Sequence, residues 1–277
     1  IIIKATERAR SCERIVVSDC IVETNCAAFG IGAEVEFPIR DITVSGLSVR
    51  HALRMIQIEL WTPGLVENVV ITNVSGATMT DIPLERPMYV DIQHHGRSDG
   101  CLGSVRNIQI RGLSAITRGR CLFTAADGAS IERLQLNGVQ LTYPEIEDPE
   151  ISVPSSRSNQ MSNDSPETRA ARSAFVFDNV HDALIDGVQI QWPTAASADP
   201  ASAVRGQYDW GELESDRRKQ AALVEQPPMS AFLFRRSSRI SVEAPFVHGN
   251  RAPLCDVRSG SERSEERRVG KECATGC

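Results

Sequence analysis

Aromatic residues are scarce in this 277-residue chain, at 5%, and apolar stripes at helical spacing are scarcer still. Large helical cores of the bundle kind are therefore not expected. No apolar run approaches the roughly 20 residues that a membrane-spanning helix needs. Eight cysteines over this length are too few for a disulfide scaffold. The net charge of −6, with both signs interspersed, argues against nucleic acid as the main partner. No G-x-S-x-G elbow supports a nucleophilic serine, and no G-x-G-x-x-G or phosphate loop supports a nucleotide. His94 and His95 are adjacent on one strand, so they point to opposite faces and cannot chelate together. No metal and no cofactor is expected.

What the chain has is one apolar grammar, repeated. Ile15, Val17, Cys20 and Val22 return as Ile42, Val44, Leu47 and Val49, then as Val69, Ile71 and Val74. Further copies begin at Ile108, Leu134, Ala183 and Ile240. Two-residue alternation marks a strand with one buried face, and the extra residue between the second and third apolar positions marks a corner. A second short strand follows most copies: Phe29-Gly-Ile31, Ile56-Gln-Ile58, Val90-Asp-Ile92, Cys121-Leu-Phe123, Ala174–Phe177 and Ala231–Phe234. The first two spacings are 27 residues each, and later ones stretch to 39, 49 and 57. A fixed period of supersecondary units is the signature of a solenoid. Leucine-rich repeats are excluded because their helical half and L-x-x-L-x-L-x-x-N frame are missing. An immunoglobulin-like array would need antiparallel hairpins between the strands. The expected fold is all-β: a right-handed parallel β-helix, with seven rungs stacked into a column roughly 35 Å long. Cys20 and Cys121 fall on inward positions and are expected as buried thiols, while Cys12, Cys26 and Cys255 remain open for pairing.

The expected domain is a β-helix over residues 1–259. The chain begins in strand alternation at Ile1-Ile-Ile-Lys4, so the solenoid is expected to continue upstream. Residues 260–277 are expected to be a non-native tail, because Arg263–Cys273 matches, codon by codon, a translated sequencing adapter. Two insertions, at about 142–172 and 195–228, interrupt the rungs. The first is rich in Pro, Ser, Asn and Asp; the second carries a short helical pattern stopped by Pro227-Pro228. Insertions of a solenoid tend to gather on one face and wall a groove.

Residues 1 to about 75 resemble the polygalacturonases of glycoside hydrolase family 28. Ile1-Ile-Ile-Lys4 stands where that family has I-x-I-K, and Ile15–Cys20 ends like its N-C strand. Phe29-Gly-Ile-Gly-Ala33 matches I-S-I-G-S, and Ile56–Trp61 matches V-R-I-K-T-W. The resemblance implies a secreted β-helix, extracellular or periplasmic, that hydrolyses a cell-wall glycan by single displacement with inversion. It implies a polysaccharide partner and a monomer. The departures are specific. The paired aspartates of the family would precede Ile1, its G-H-G histidine is Ala27, and its R-I-K pair of cations reads Gln57-Ile58-Glu59. A fragment lacking the aspartates is expected to be inactive alone. The alternative is a non-catalytic carbohydrate-binding or surface β-helix.

Aligning the second strands places Phe29, Ile56 and Val90 inside, with Ile31, Ile58 and Ile92 beside them. The outward rows are then expected as Gly30/Gln57/Asp91, Gly32/Glu59/Gln93 and Glu34/Trp61/His95. Glu59 and Asp91 are the candidate catalytic carboxylates, since acid and base in inverting glycosidases stand roughly 6.5–9.5 Å apart. Glu34, Gln57, Trp61, Gln93 and His95 are the candidate substrate contacts. Carboxylates and amides hold sugar hydroxyls, and a flat ring covers sugar C–H groups.

Overall fold

The computed structural model describes residues 1–6, 10–78, 85–94, 101–144, 173–192, 230–249 and 254–257. Both expected insertions and the expected tail lie largely or wholly outside the described residues. In chain order the strands are β1 (Ile2–Ala5), β2 (Cys12–Glu23), β3 (Ala27–Val35), β4 (Ile39–His51), β5 (Arg54–Leu60) and β6 (Leu65–Ala77). There follow β7 (Arg86–Ile92), β8 (Ser104–Ile116), β9 (Cys121–Ala125), β10 (Ile131–Thr142), β11 (Ser173–Asp178) and β12 (Val180–Asp186). The last are β13 (Gln189–Gln191), β14 (Ser230–Arg235), β15 (Ser238–Glu243), β16 (Phe246–His248) and β17 (Cys255–Val257).

Apart from β12–β13 and β15–β16, consecutive strands belong to different sheets, and each strand pairs in parallel with the one a coil away. One sheet runs β1-β3-β5-β7-β9-β11-β14-β17; the other runs β15-β12-β10-β8-β6-β4-β2, with β13 and β16 continuing its far end. This is a parallel β-helix. Alternation does the sorting: Ile42, Val44, Leu47 and Val49 turn inward and are at most 2% exposed, and the same holds for their partners Val69, Ile71 and Val74. The inner side of the first sheet supplies Ile58, Val90, Phe123, Phe177 and Phe234, one above another in register. Cys121 is buried, and burial pushes its thiol pKa up. Cys20 is only half-buried, because β2 ends the stack and no described strand covers its outer side.

The extra residue of the repeat has a conformational cause. Asp19, Gly46, Asn73, Gly112, Gly138, Gly187 and Ala244 occupy this position and all have positive φ, between 46° and 68°. A second such row, Arg14, Asp41, Asn68, Asn107, Arg133, Asp182 and Arg239, immediately precedes the first apolar position of each copy. Left-handed residues turn the chain without breaking the lateral pairing. Gly, Asn and Asp tolerate that region best. The second row also bonds along the column: Asn107 Nδ2 donates to Asn68 Oδ1 at 2.7 Å, and Asn68 Nδ2 to Asp41 Oδ1 at 3.0 Å.

Beside it runs a row of alternating charge, Glu13, Arg40, Glu67, Arg106 and Glu132, paired in that order across neighbouring strands. Arg40 Nη2 donates to Glu13 Oε1 at 2.7 Å, and Arg106 Nε to Glu67 Oε2 at 2.8 Å. A one-residue slip would break these pairs and turn the apolar face outward, so both effects oppose it. A hydrogen bond from Ser11, then one from Arg40, hold the Glu13 carboxyl below its ordinary pKa. A hydrogen bond from Arg239 does the same for Asp182. Their folded pKa values therefore lie below the unfolded ones. The stabilisation is fully present above the unfolded carboxylate range and is lost as pH falls through the folded values. Urea midpoints are expected to stay level from neutral pH down to about pH 5 and to drop below about pH 4. The double variant Glu13→Gln, Asp182→Asn should show a shallower drop, and an unchanged acid limb would refute this origin.

Candidate functional site

The outer side of the eight-stranded sheet carries two adjacent rows. One comprises Ile2, Gly30, Gln57, Tyr89, Leu122, Val176 and Leu233; the other comprises Glu59, Asp91, Thr124, Asp178 and Arg235. The expected inward residues are inward: Phe29, Ile31, Ile56, Ile58 and Val90 are fully buried and Ile92 nearly so. The register between β5 and β7 differs from expectation by two residues. Ile58 faces Val90, so Gln57 stands beside Tyr89 and Glu59 beside Asp91. A shift of two preserves the faces and changes the neighbours. The apolar segment Met88-Tyr-Val-Asp-Ile92 offers two equally alternating alignments, and periodicity alone does not choose between them.

The shift brings the two candidate carboxylates directly opposite one another. Gln93 links them: its Nε2 donates to Glu59 Oε1 at 3.3 Å and also to Asp91 Oδ2, and lies 3.1 Å from the Tyr89 hydroxyl. Tyr89 donates its hydroxyl to Asp91 Oδ2 at 2.9 Å, and Thr124 Oγ1 donates to Asp91 Oδ1 at 2.5 Å. Gln57 Nε2 donates to Glu59 Oε2 at 2.9 Å, and Arg54 Nη1 stands 3.5 Å from the same oxygen. The Arg54 guanidinium also lies over the Tyr89 ring, 4.1 Å from its centre. The facing oxygens of Glu59 and Asp91 are thus less than two hydrogen-bond lengths apart, under about 6 Å.

These groups are not solvated, which is a second departure from the expected open polar face. Glu59 and Asp91 are each 3% exposed and Gln93 is 2% exposed. In the neighbouring row Tyr89, Leu122, Val176 and Leu233 form a second apolar cluster, buried on the side away from the core. Strands β7, β9, β11 and β14 are accordingly buried on both faces. Runs such as Ala174-Phe-Val-Phe177 and Ala231-Phe-Leu-Phe234 read as continuous apolar segments for that reason.

Of the other expected contacts, Gln57 and Trp61 are half-buried at the edge of the cluster. Glu34 is exposed and pairs with Lys4 Nζ at 2.8 Å, so the structure does not bring it into the cluster. His95 lies outside the described residues, and His94 is exposed. Gly32, on the expected outward row, has φ 104°, and a Cβ there would sit 1.8 Å from the Glu59 carbonyl oxygen. Glycine lets β3 and β5 approach at that point. Sequence reasoning missed Arg54, Tyr89, Thr124 and Asp178. Matching Leu60 with Ile92 would have revealed Tyr89, and matching Val90 with Phe123 would have revealed Thr124. Arg54 reaches the cluster from a strand end, where alternation carries no signal.

Asp178 closes the polar row one coil beyond Thr124. It is 2% exposed and accepts from Arg235 Nη1 at 2.9 Å and Arg236 Nε at 2.6 Å. Arg236 also pairs with Asp127, and these two acids raise its pKa, the Asp178 hydrogen bond being the largest cause. Asp178→Ala would leave two guanidinium groups facing a buried void. Its expected cost is about 3 kcal/mol by urea unfolding, with Asp178→Asn intermediate; a cost below about 1 kcal/mol would refute the pairing.

Among the described residues, no group of three or more His, Cys, Asp or Glu side chains gathers as a metal site. The fold and the two rows define the class: a parallel β-helix with a buried carboxylate ladder on one outer face. Comparisons with protein-family models, curated proteins and solved structures find no match for this chain.

Proposed function

We propose that this protein is a polysaccharide-directed β-helix, a glycoside hydrolase of the polygalacturonase-like type, its glycan meeting the outer face of the eight-stranded sheet at the half-buried edge formed by Gln57 and Trp61. The observation that carries the reading is the direct opposition of Glu59 and Asp91 on consecutive coils, with Gln93 Nε2 in reach of both. In this proposal Glu59 and Asp91 exchange protons with the scissile bond, Gln57 and Gln93 hold hydroxyls, and Trp61 offers an apolar face. A rigid parallel stack supports such a role, because Glu59 and Asp91 are each fixed by hydrogen bonds from their own strand and from an adjacent coil. Action outside the cell belongs to the same proposal, since a polymer substrate has to be met there.

A second reading, non-catalytic carbohydrate binding, is favoured by one specific observation. Glu59 and Asp91 are each 3% exposed and are already engaged by Gln57, Gln93, Tyr89 and Thr124, so the protein itself occupies the oxygens that a scissile bond would need. The deciding experiment incubates the full-length protein with neutral and acidic cell-wall polysaccharides and follows reducing ends and binding in parallel. Reducing ends released in proportion to protein support hydrolysis, and binding without release supports the second reading. Absence of both overturns the saccharide assignment.

A further inference from the structure

The nine-stranded sheet ends on β2, a strand of 12 residues. Among the described residues no strand pairs with its outer edge. A long edge strand is a template for another strand unless charge, proline or a bulge blunts it. The middle of β2 is apolar on both faces. Its core-facing residues Ile15, Val17, Cys20 and Val22 are only half-buried. Its outward residues on the two sides of the corner, Val16 and Ile21, are 71% and 74% exposed. Every other described coil has a polar residue at one or both of those outward positions, such as Thr43 and Ser48 on β4. Apolar side chains at both are a property of the end strand.

β2 is also its own complement. Laid antiparallel on the β2 of a second copy, about a twofold axis at the Ser18–Asp19 corner, it matches itself. Ile15 meets Val22 and Val17 meets Cys20 on the core side; Val16 meets Ile21 outside, and Arg14 meets Glu23. The axis exchanges the two arms of the bent strand, so core-facing residues stay core-facing. Each opposite pair forms twice, and directly opposite partners of this kind stabilise antiparallel strands. The Arg14 and Glu23 side chains are 79% and 54% exposed, so both reach the joint. Stacking the opposite end of the column, β15, on β2 would instead continue the left-handed row and set Arg239 against Arg14. Such head-to-tail contacts also do not close.

We propose that β2 is the interface of a symmetric dimer, in which two columns join end to end by antiparallel β2–β2 pairing. The occupant of the open edge is thus a second copy of this chain, in place of the monomer that the family resemblance implies. The proposal is independent of the saccharide reading. Isologous closure stops the assembly at two copies and covers the edge of both.

The test is sedimentation equilibrium of the full-length protein at physiological salt, where a reversible dimer is expected at about 100 μM protein. The double variant Val16→Thr, Ile21→Ser gives β2 the outward residues that β4 already carries, and should weaken association at least about tenfold. Arg14→Glu and Glu23→Arg should each weaken it about tenfold, because two attractions become two repulsions. An equal mixture of those two single variants should regain the wild-type affinity, since each then offers what the other lacks. Circular dichroism checks the folding of all variants. A full-length protein that stays monomeric, its β2 edge taken by chain preceding Ile1, overturns the proposal. Assemblies that grow beyond two copies overturn the symmetric pairing. A dimer indifferent to the double variant, or a mixture that regains nothing, overturns the assignment of the interface to β2.

Discussion

Phe177→Ala is expected to destabilise the coil by about 3–5 kcal/mol, the largest stability effect of any single substitution considered. Phe177 is completely buried. Its ring stacks on Phe123 below and Phe234 above, each with centroids 5.2 Å apart and planes within 16°, and on Phe175 of the same strand at 6.2 Å. Removing it deletes aromatic surface on several sides at once. The cavity has little means of closing, because β9 and β14 are held in place by ladders to β11 on either side. The spread of large-to-small costs depends on how far a site can collapse, which puts this one at the upper end. Equilibrium urea unfolding measures the loss, and Phe177→Leu, which refills most of the volume, should recover much of it. A solenoid gains stability from nearest-neighbour interfaces, so stabilising a distant coil is not expected to restore the packing lost here. A cost below about 1 kcal/mol would show that the aromatic stack is not packed as described.

Glu59→Gln and Asp91→Asn are each expected to lower turnover by about 10²–10⁴-fold if the pair performs the proton transfers of the proposed hydrolysis. Both replacements keep the shape of the side chain and remove the exchangeable charge. Their neighbours differ, which makes the two variants informative separately. Glu59 is held by Gln57, Gln93 and Arg54, and Asp91 by Tyr89, Thr124 and Gln93. Reducing-end assays on the full-length protein measure the effect, with thermal melting as the control for folding. Turnover unchanged in both variants would remove Glu59 and Asp91 from the chemistry. Measurable binding without any turnover in the full-length wild-type protein would instead establish the second reading.

The site was only partly legible from residue order. The rule of alternation placed Glu59, Asp91 and Gln93 on the outer side of one sheet, because a residue's face follows from its parity along the strand. It did not place Glu59 opposite Asp91. That pairing depends on register, and a two-residue slip leaves every face unchanged. Thr124, more than thirty positions from Asp91 in the chain, enters the cluster only through that register. Exposure was equally out of reach. Tyr89, Leu122, Val176 and Leu233 read as ordinary strand residues, and only packing shows that their outward side is buried.

The amino-acid order by itself determined that this chain forms stacked strands with a turn at a fixed point in each repeat. Alternating apolar residues define a buried face, and recurrent Gly, Asn and Asp admit the left-handed corners. Those are local properties, set by side-chain hydrophobicity and backbone sterics within a dozen residues. Tertiary structure decided which outward residues become neighbours and which of them lose water. Lateral contacts join residues 27 to 57 positions apart, and their energies depend on the distance between coils, about which the order of residues along a strand carries no information.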